Sequence, residues 1–466
     1  VLGACSPATL GSLPIEESTT KGEDPETSGD GDGDGDGVDI KFDTYPGGGC
    51  GGDGACPNKV DLLFVIDNSG TMAEEQLTLA KNFPTLIQEL QKLKNEEGDP
   101  VGADVNLMIT TTDFGHPLCA NFANHPPEQG EPIYTTCKDR IDRFVPIDGG
   151  PAVYEACLDV CDDPKLAPED HFIHFDTRTG EDNVPNVPPK DINGDGEDDD
   201  AIAQTLACVA PQGVDGCGYE APLENMMQAI NPTAWWNSGE LGQRPFLRHD
   251  AILAIAIITD EADCSVKDYE VFAADGMYGT DYWNDRPGMG KAASSAICWN
   301  AGVICEGPDQ FGEYDNCESN PAPHLQPVDR YIDHLVQNVR AEQGKEVVML
   351  GVLGVPSEDD GGVDALVYRD WEDGEYPNGD ILPEDWPEEP ADYKQWLFGI
   401  GPGCTAYDDD LDRGGQGIPP VRIREVCEAL DYDDEVRCCM QSICGTDFRP
   451  ALKCLTDIIQ DAIPVK

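Results

Sequence analysis

KVDLLFVIDNSGTMAEEQLTLAKNFPTLIQEL, residues 59–90, joins an apolar run to an amphipathic one through a short polar loop. Val60 to Ile66 is apolar except for Asp61 and stops at Asp67. An apolar run of that length, bounded by a loop, reads as a parallel strand buried on both faces. From Glu74 to Leu93, the residues Leu77, Ala80, Leu86, Leu90 and Leu93 share one helical stripe. Pro84 is expected to kink that helix or mark its restart. Between strand and helix, Asp67-Asn68-Ser69-Gly70-Thr71 sets a carboxylate and two hydroxyls at alternate positions. Hard oxygen donors at that spacing suit a small divalent cation such as Mg²⁺. The alternative is an Asp or Ser cap on the helix that follows.

The same alternation continues outward. Asp104–Thr112 and Glu346–Val355 read as strands, and Ala251–Thr259 (AILAIAIIT) is the most apolar strand of all. It ends at Asp260-Glu261-Ala262-Asp263-Cys264. Helices are expected from about Ala221, over Pro327–Val339, and at Pro419–Leu430 and Arg449–Ile463. Strands alternating with helices imply an α/β fold, a doubly wound, mostly parallel sheet flanked by helices. Three stretches break the pattern with Gly, Pro, Cys and acids, at about 114–200, 265–326 and 356–418. They read as long insertions stapled by disulfides onto a domain spanning 59–466.

The first insertion holds Asp191-Ile192-Asn193-Gly194-Asp195-Gly196-Glu197-Asp198-Asp199, an Asp-x-Asn-x-Asp-Gly-x-x-Asp pattern. Alternating oxygens from Asp191, Asn193, Asp195 and Asp199 would face a Ca²⁺ ion while Gly196 permits the sharp turn. It is not a full EF-hand, because the twelfth position is Ile202 rather than a bidentate Glu. An acidic turn without an ion is the alternative. His171 and His174 form a His-x-x-His pair, which without a third ligand reads as surface residues rather than a zinc site.

Composition narrows the function classes. Acids number 91 against 29 bases, a net charge of −62, which argues against nucleic acid and anionic lipid as partners. Nineteen cysteines are too many for a reduced cytosolic chain and place the protein outside the cytoplasm. Val1-Leu2-Gly3-Ala4-Cys5 is similar to the lipobox of bacterial lipoproteins, in which the Cys is lipidated. Setting Cys5 aside leaves an even 18. On this expectation residues 1–5 are a lipobox remnant and 6–58 a disordered Gly/Asp-rich tether, too polar to order itself.

The loop at Asp67–Thr71 resembles the metal-ion-dependent adhesion site (MIDAS) of von Willebrand factor A (vWA) domains, Asp-x-Ser-x-Ser after the first strand, with Thr71 keeping the last hydroxyl. The segments Leu62–Leu90, Gly216–Met227, Phe246–Ser265, Pro327–Val339 and Pro420–Leu455 are similar to secreted bacterial vWA proteins of the lipoprotein type. The resemblance implies that Ser69 and Thr71 bind the cation directly, with Asp67 binding or orienting water. It also places Asp260 on the neighbouring strand, where it supports the metal. One departure stands out. The family supplies a Thr from a loop before a helix, whereas the corresponding turn here, Gly216-Cys217-Gly218-Tyr219-Glu220, has none. Glu220 is the oxygen donor in its place, or else it favours the positive end of the following helix.

The expected function is then a metal-dependent protein-binding or adhesion module at the cell surface, with Mg²⁺, Mn²⁺ or Ca²⁺ at the site. It would recognise an exposed carboxylate on a protein or matrix partner. A structural, disulfide-rich surface lipoprotein is the first alternative. A hydrolase is the second, but the chain has no nucleophile elbow, no His-Glu-x-x-His and no phosphate loop, so it reads as a non-enzyme.

Overall fold

The computed structural model describes residues 58–463 apart from 95–99, 120–124, 148–149, 240–241, 323, 373–389, 409–412 and 434. The lipobox with Cys5, and the tether up to residue 57, lie outside the described residues. The first strand, β1 (Asn58–Ile66), starts one residue before the expected boundary. Its even residues Val60, Leu62, Phe64 and Ile66 face one core and Leu63 and Val65 the other. That is the period-2 consequence of an unbroken apolar run. Phe64 meets Phe83 of helix α1 (Ala73–Gln91) edge to face at 5.4 Å. Full burial of a side chain such as Phe64 contributes roughly 1.5–3 kcal/mol. Helix α1 runs through Pro84 as one 19-residue segment. Phe83 and Leu86, on either side of the proline, are fully buried and hold the helix to the sheet where one backbone bond is missing.

Six further strands complete the sheet: β2 (Ala103–Thr111), β3 (Ile173–Asp176), β4 (Glu181–Asp182), β5 (Ile252–Ile258), β6 (Val347–Leu353) and β7 (Cys438–Ser442). Their spatial order is β7-β6-β5-β1-β2-β3-β4. The first five in that order are parallel, while β3 runs antiparallel to β2 and β4 to β3. Helix α1 covers one face with α2 (Ala201–Val209) and α6 (Arg449–Asp461). The other face carries α3 (Pro222–Ala229), α4 (Asp329–Ile332, continuing as Asp333–Glu342) and α5 (Val421–Glu428). The molecule is therefore mixed α/β, with a mostly parallel central sheet flanked by helices.

Three strands of the sheet were not legible in sequence: β3, the two-residue β4 beside it, and β7. β3 lies inside the stretch 114–200, which therefore contributes to the main sheet rather than only decorating it. There His171 is buried, its Nε2 3.1 Å from the Trp236 carbonyl, and His174 Nδ1 lies 2.9 Å from Asn106 Oδ1. The His-x-x-His pair is thus core packing, not surface. β7 is Cys438-Cys439-Met440-Gln441-Ser442, whose side chains show no apolar alternation. Pleating sends its adjacent cysteines to opposite faces, Cys438 to Cys427 of α5 and Cys439 to Cys454 of α6.

Six more disulfides staple the irregular stretches: Cys119–Cys217, Cys137–Cys157, Cys161–Cys208, Cys264–Cys298, Cys305–Cys317 and Cys404–Cys444. Closing the 98-residue span between Cys119 and Cys217 constrains the unfolded chain by about 4–5 kcal/mol in the chain-entropy account. The eight disulfides among the described residues point to an oxidising, extracellular environment. Among the described residues, no helix is long and apolar enough to cross a membrane.

Candidate metal centre

β1 has β2 on one side and β5 on the other, so strand order reverses there and the loops beyond the strand tips form a crevice. Asp67 extends the ladder by one bond, its N–H donating to Ile258 O at 2.9 Å. Its carboxylate is held twice. Oδ1 accepts from Ser69 N–H at 2.7 Å, and Oδ2 accepts from the Thr259 hydroxyl at 2.5 Å. Ser69 Oγ and Thr71 Oγ1 lie 3.2 Å apart, and Thr71 Oγ1 donates to Asp260 Oδ2 at 2.7 Å. Asp67, Ser69, Thr71 and Asp260 are thus one connected set across two adjacent strand tips. Neither Asp67 nor Ser69 caps α1, whose capping position is Met72 with no side-chain bond.

A third loop, 212–220, closes over this set. Gln76 of α1, 2% exposed, ties the pieces together. Its Nε2 donates to the carbonyls of Asp67 and Gly213 at 2.7 and 2.8 Å. Its Oε1 accepts from the backbones of Gln212 and Gly213 at 2.8 and 3.1 Å. Gly216 N–H donates to Asn68 O at 2.9 Å. A Cβ on Gly216 would sit 2.5 Å from Asn68 Cγ and 2.6 Å from Asn68 O. Gly216→Ala is therefore expected to push the two loops apart, costing about 1–3 kcal/mol in a thermal melt and weakening any cation bound between them. A variant that melts and titrates like wild type would show that the close approach is unimportant.

Glu220 ends the third loop, beside the tips of β2 and β5. Ala221 N–H donates to Thr112 O at 2.9 Å, and Cys264 N–H donates to Glu220 O at 2.6 Å. The Thr112 hydroxyl donates to Glu220 Oε2. The capping position of α3 is Ala221, with no side-chain bond, so Glu220 does not cap that helix.

The electrostatics are lopsided. Asp67, Glu220 and Asp260 are 0, 1 and 6% exposed. Among the described residues, no Lys or Arg pairs with any of them. Burial raises Asp67 above the usual carboxylate range. Burial and then the Asp67 charge push Asp260 up to about 8. Burial, followed by Asp67 and Asp113, holds Glu220 well above its ordinary value. Asp113, just beyond β2, is pushed up to about 6, chiefly by burial. Asp260 Oδ1, Glu220 Oε1 and Asn68 Oδ1 are buried without a hydrogen-bond partner. Buried carboxylate oxygens without a donor, on acids without a paired cation, are costly, and a divalent ion would satisfy them. The hydroxyls of Ser69 and Thr71 stand among these carboxylates, so the donor set fits a hard cation.

Among the described residues, only Cys137, Cys161 and Cys208 form a trio of His, Cys, Asp or Glu with ligand atoms all within 4.8 Å. Those sulfurs are spent in the Cys137–Cys157 and Cys161–Cys208 disulfides. The carboxylates of Asp67, Glu220 and Asp260 do not all close to that distance, so hydroxyls are needed to complete a ligand set.

The loop 191–199 folds back on itself. Asp191 accepts from Gly194 and Gly196 N–H at 2.6 and 3.0 Å, and Asp199 Oδ2 accepts from Ile192 N–H at 3.0 Å. Asn193 and Asp195 accept from Asp195 N–H and Glu197 N–H at 3.0 and 2.8 Å. Gly194 and Gly196 take φ of +79° and +91°, the left-handed turns that the pattern requires. Burial, followed by Asp195 and Asp191, raises Asp199.

Sequence reasoning placed Asp67, Ser69, Thr71, Glu220 and Asp260, and the fold brings all five to one end of the sheet. It missed Gln76, Thr112 and Thr259. The Thr-rich end of β2 and the Thr-Asp pair after β5 were the available signals, whereas Gln76 had none. No family model, curated protein or solved structure matches the chain.

Proposed function

We propose that the chain is a metal-dependent protein-binding module of the vWA type, doubly wound, acting outside the cytoplasm and held at the cell surface by a lipidated Cys5. The observation that carries this reading is the pair of buried, unpartnered carboxylate oxygens, Asp260 Oδ1 and Glu220 Oε1, beside the Ser69–Thr71 hydroxyl pair. Ser69, Thr71, Asp67, Asp260 and Glu220 would hold Mg²⁺, Mn²⁺ or Ca²⁺, and Asp191, Asn193, Asp195 and Asp199 a separate Ca²⁺. The bound ion offers a coordination position to a carboxylate oxygen from a partner, a capture that each carboxylate already on the ion weakens. Gly70 is exposed and Thr71 half-buried, which leaves the loop open on that side. No nucleic acid fits a chain of this charge.

The test is calorimetric titration of chelator-treated protein with each cation, then anisotropy with Asp- and Glu-bearing peptides. Wild type is expected to bind, and Ser69→Ala to lose at least a hundredfold in cation affinity while its melting temperature in EDTA is unchanged. Equal titration of both proteins, or peptide binding that persists in EDTA, would overturn the proposal.

Deep burial of the donors favours a second reading, a metal that staples the loops and meets no partner. A staple predicts a large gain in melting temperature on loading and no metal-dependent peptide binding.

A further inference from the structure

Glu220 sets which cation the strand-tip site accepts: we infer that its buried carboxylate makes the site select calcium over magnesium. This rests on the metal reading above and goes beyond it. Glu220 is 1% exposed, and Thr112 satisfies Oε2 alone. Oε1 is buried without a partner, as is Asp260 Oδ1. Thr112 therefore fixes one end of the carboxylate and leaves a single oxygen for an ion. The backbone on both sides is pinned, by Ala221 N–H to Thr112 O and by Cys264 N–H to Glu220 O. Glu220 cannot withdraw from the site without breaking the junction of the third loop with β2 and β5.

The consequence is a site with three carboxylates, those of Asp67, Glu220 and Asp260, and two hydroxyls, those of Ser69 and Thr71. Magnesium demands near-ideal octahedral geometry, parts with its waters reluctantly and is rarely enclosed by an all-protein cage. Calcium takes six to eight oxygens, accepts irregular geometry, and gains affinity as carboxylates are added. Pinned, dry carboxylates on two strand tips and on the third loop supply charge and oxygens but not an adjustable octahedron, which is the environment calcium tolerates.

The test uses the full chain carrying Asp191→Ala, so that the acidic loop does not add a calcium site of its own. Calcium and magnesium are titrated separately by calorimetry into this protein and into the same protein with Glu220→Gln. The expected result is at least tenfold tighter calcium than magnesium in the parent. In Glu220→Gln, calcium should weaken at least tenfold and magnesium less than threefold. Thr112→Val, which keeps the carboxylate, should retain the calcium preference. Glu220→Gln keeps the side chain's shape and an oxygen for the Thr112 hydroxyl, so its melt in EDTA should be no lower than the parent's. A parent that prefers magnesium, or a Glu220→Gln variant that shifts both ions equally, overturns the selectivity inference and leaves the metal reading standing. Absence of any divalent binding sensitive to Ser69→Ala overturns the metal reading itself.

Discussion

Asp61→Ala is expected to cost the fold about 3–5 kcal/mol, the usual result of removing one partner from a buried ion pair. Asp61 is the single acid inside β1, fully buried near the N-terminal end of the strand. Arg248 meets it twice, its Nε donating to Oδ1 at 2.7 Å and its backbone N–H to Oδ2 at 2.6 Å. Lys345 Nζ lies 3.5 Å from Oδ2. The Arg248 guanidinium also pairs with Asp104 and donates to the carbonyls of Val60 and Asp104 at 2.9 and 3.0 Å. The cluster clamps β1, β2 and the chain entering β5 and β6 at the end of the sheet away from the metal centre. Without Asp61, two cations are left in a low-dielectric pocket with one carboxylate between them. Chemical denaturation with the disulfides intact measures the loss. Asp61→Asn, which keeps shape and some hydrogen bonding, should lose less. Cation affinity at the other end of the strands should be unchanged. A loss below about 1 kcal/mol, the surface-pair range, would show that the cluster is not a clamp.

The second large effect is a pH dependence that cation binding reverses. In the metal-free protein, Asp260 holds a proton up to about pH 8, whereas an unfolded aspartate releases it near its ordinary value of 3.8. Between those limits the folded state binds the proton and the unfolded state does not. Stability is therefore highest at the acidic end of the window and falls as pH rises through it. The slope is about 1.4 kcal/mol per pH unit for each such proton. Glu220, also raised, adds in the same direction. His116, pushed down to about 3 by burial, works the other way, losing stability as pH falls below its ordinary value of 6.5. Melts in EDTA between pH 6.5 and 8 isolate the carboxylates, and the melting temperature should fall across that range. Asp260→Asn should flatten the fall. A saturating divalent cation should abolish it, adding about 2.7 kcal/mol at a hundred times the dissociation constant. An EDTA melt that is flat or rises with pH in this range would refute the buried-acid description of the site.

What the chain declares locally, its sequence declared by itself. The unbroken apolar runs ending at Asp67 and Asp260, the amphipathic helices after them and the cysteine load follow from side-chain periodicity and composition. Those signals span one element each, so they name strands and helices without saying which ones touch. The pairing of β1 with β5, which joins Thr71 to Asp260, came from register across 189 residues. So did the placement of Thr112 on Glu220 across 108 residues, which answers whether that acid caps a helix. β3 was missed because its alternation, Ile173-His174-Phe175-Asp176, spans only four residues inside an irregular stretch, and β7 because its side chains carry none. Each is held in the sheet by a neighbouring strand and, for β7, by two disulfides reaching opposite faces. Only the tertiary structure decided that the strand-tip acids are buried without a cation, because burial is a property of what packs over a residue, not of the residue's neighbours in the chain.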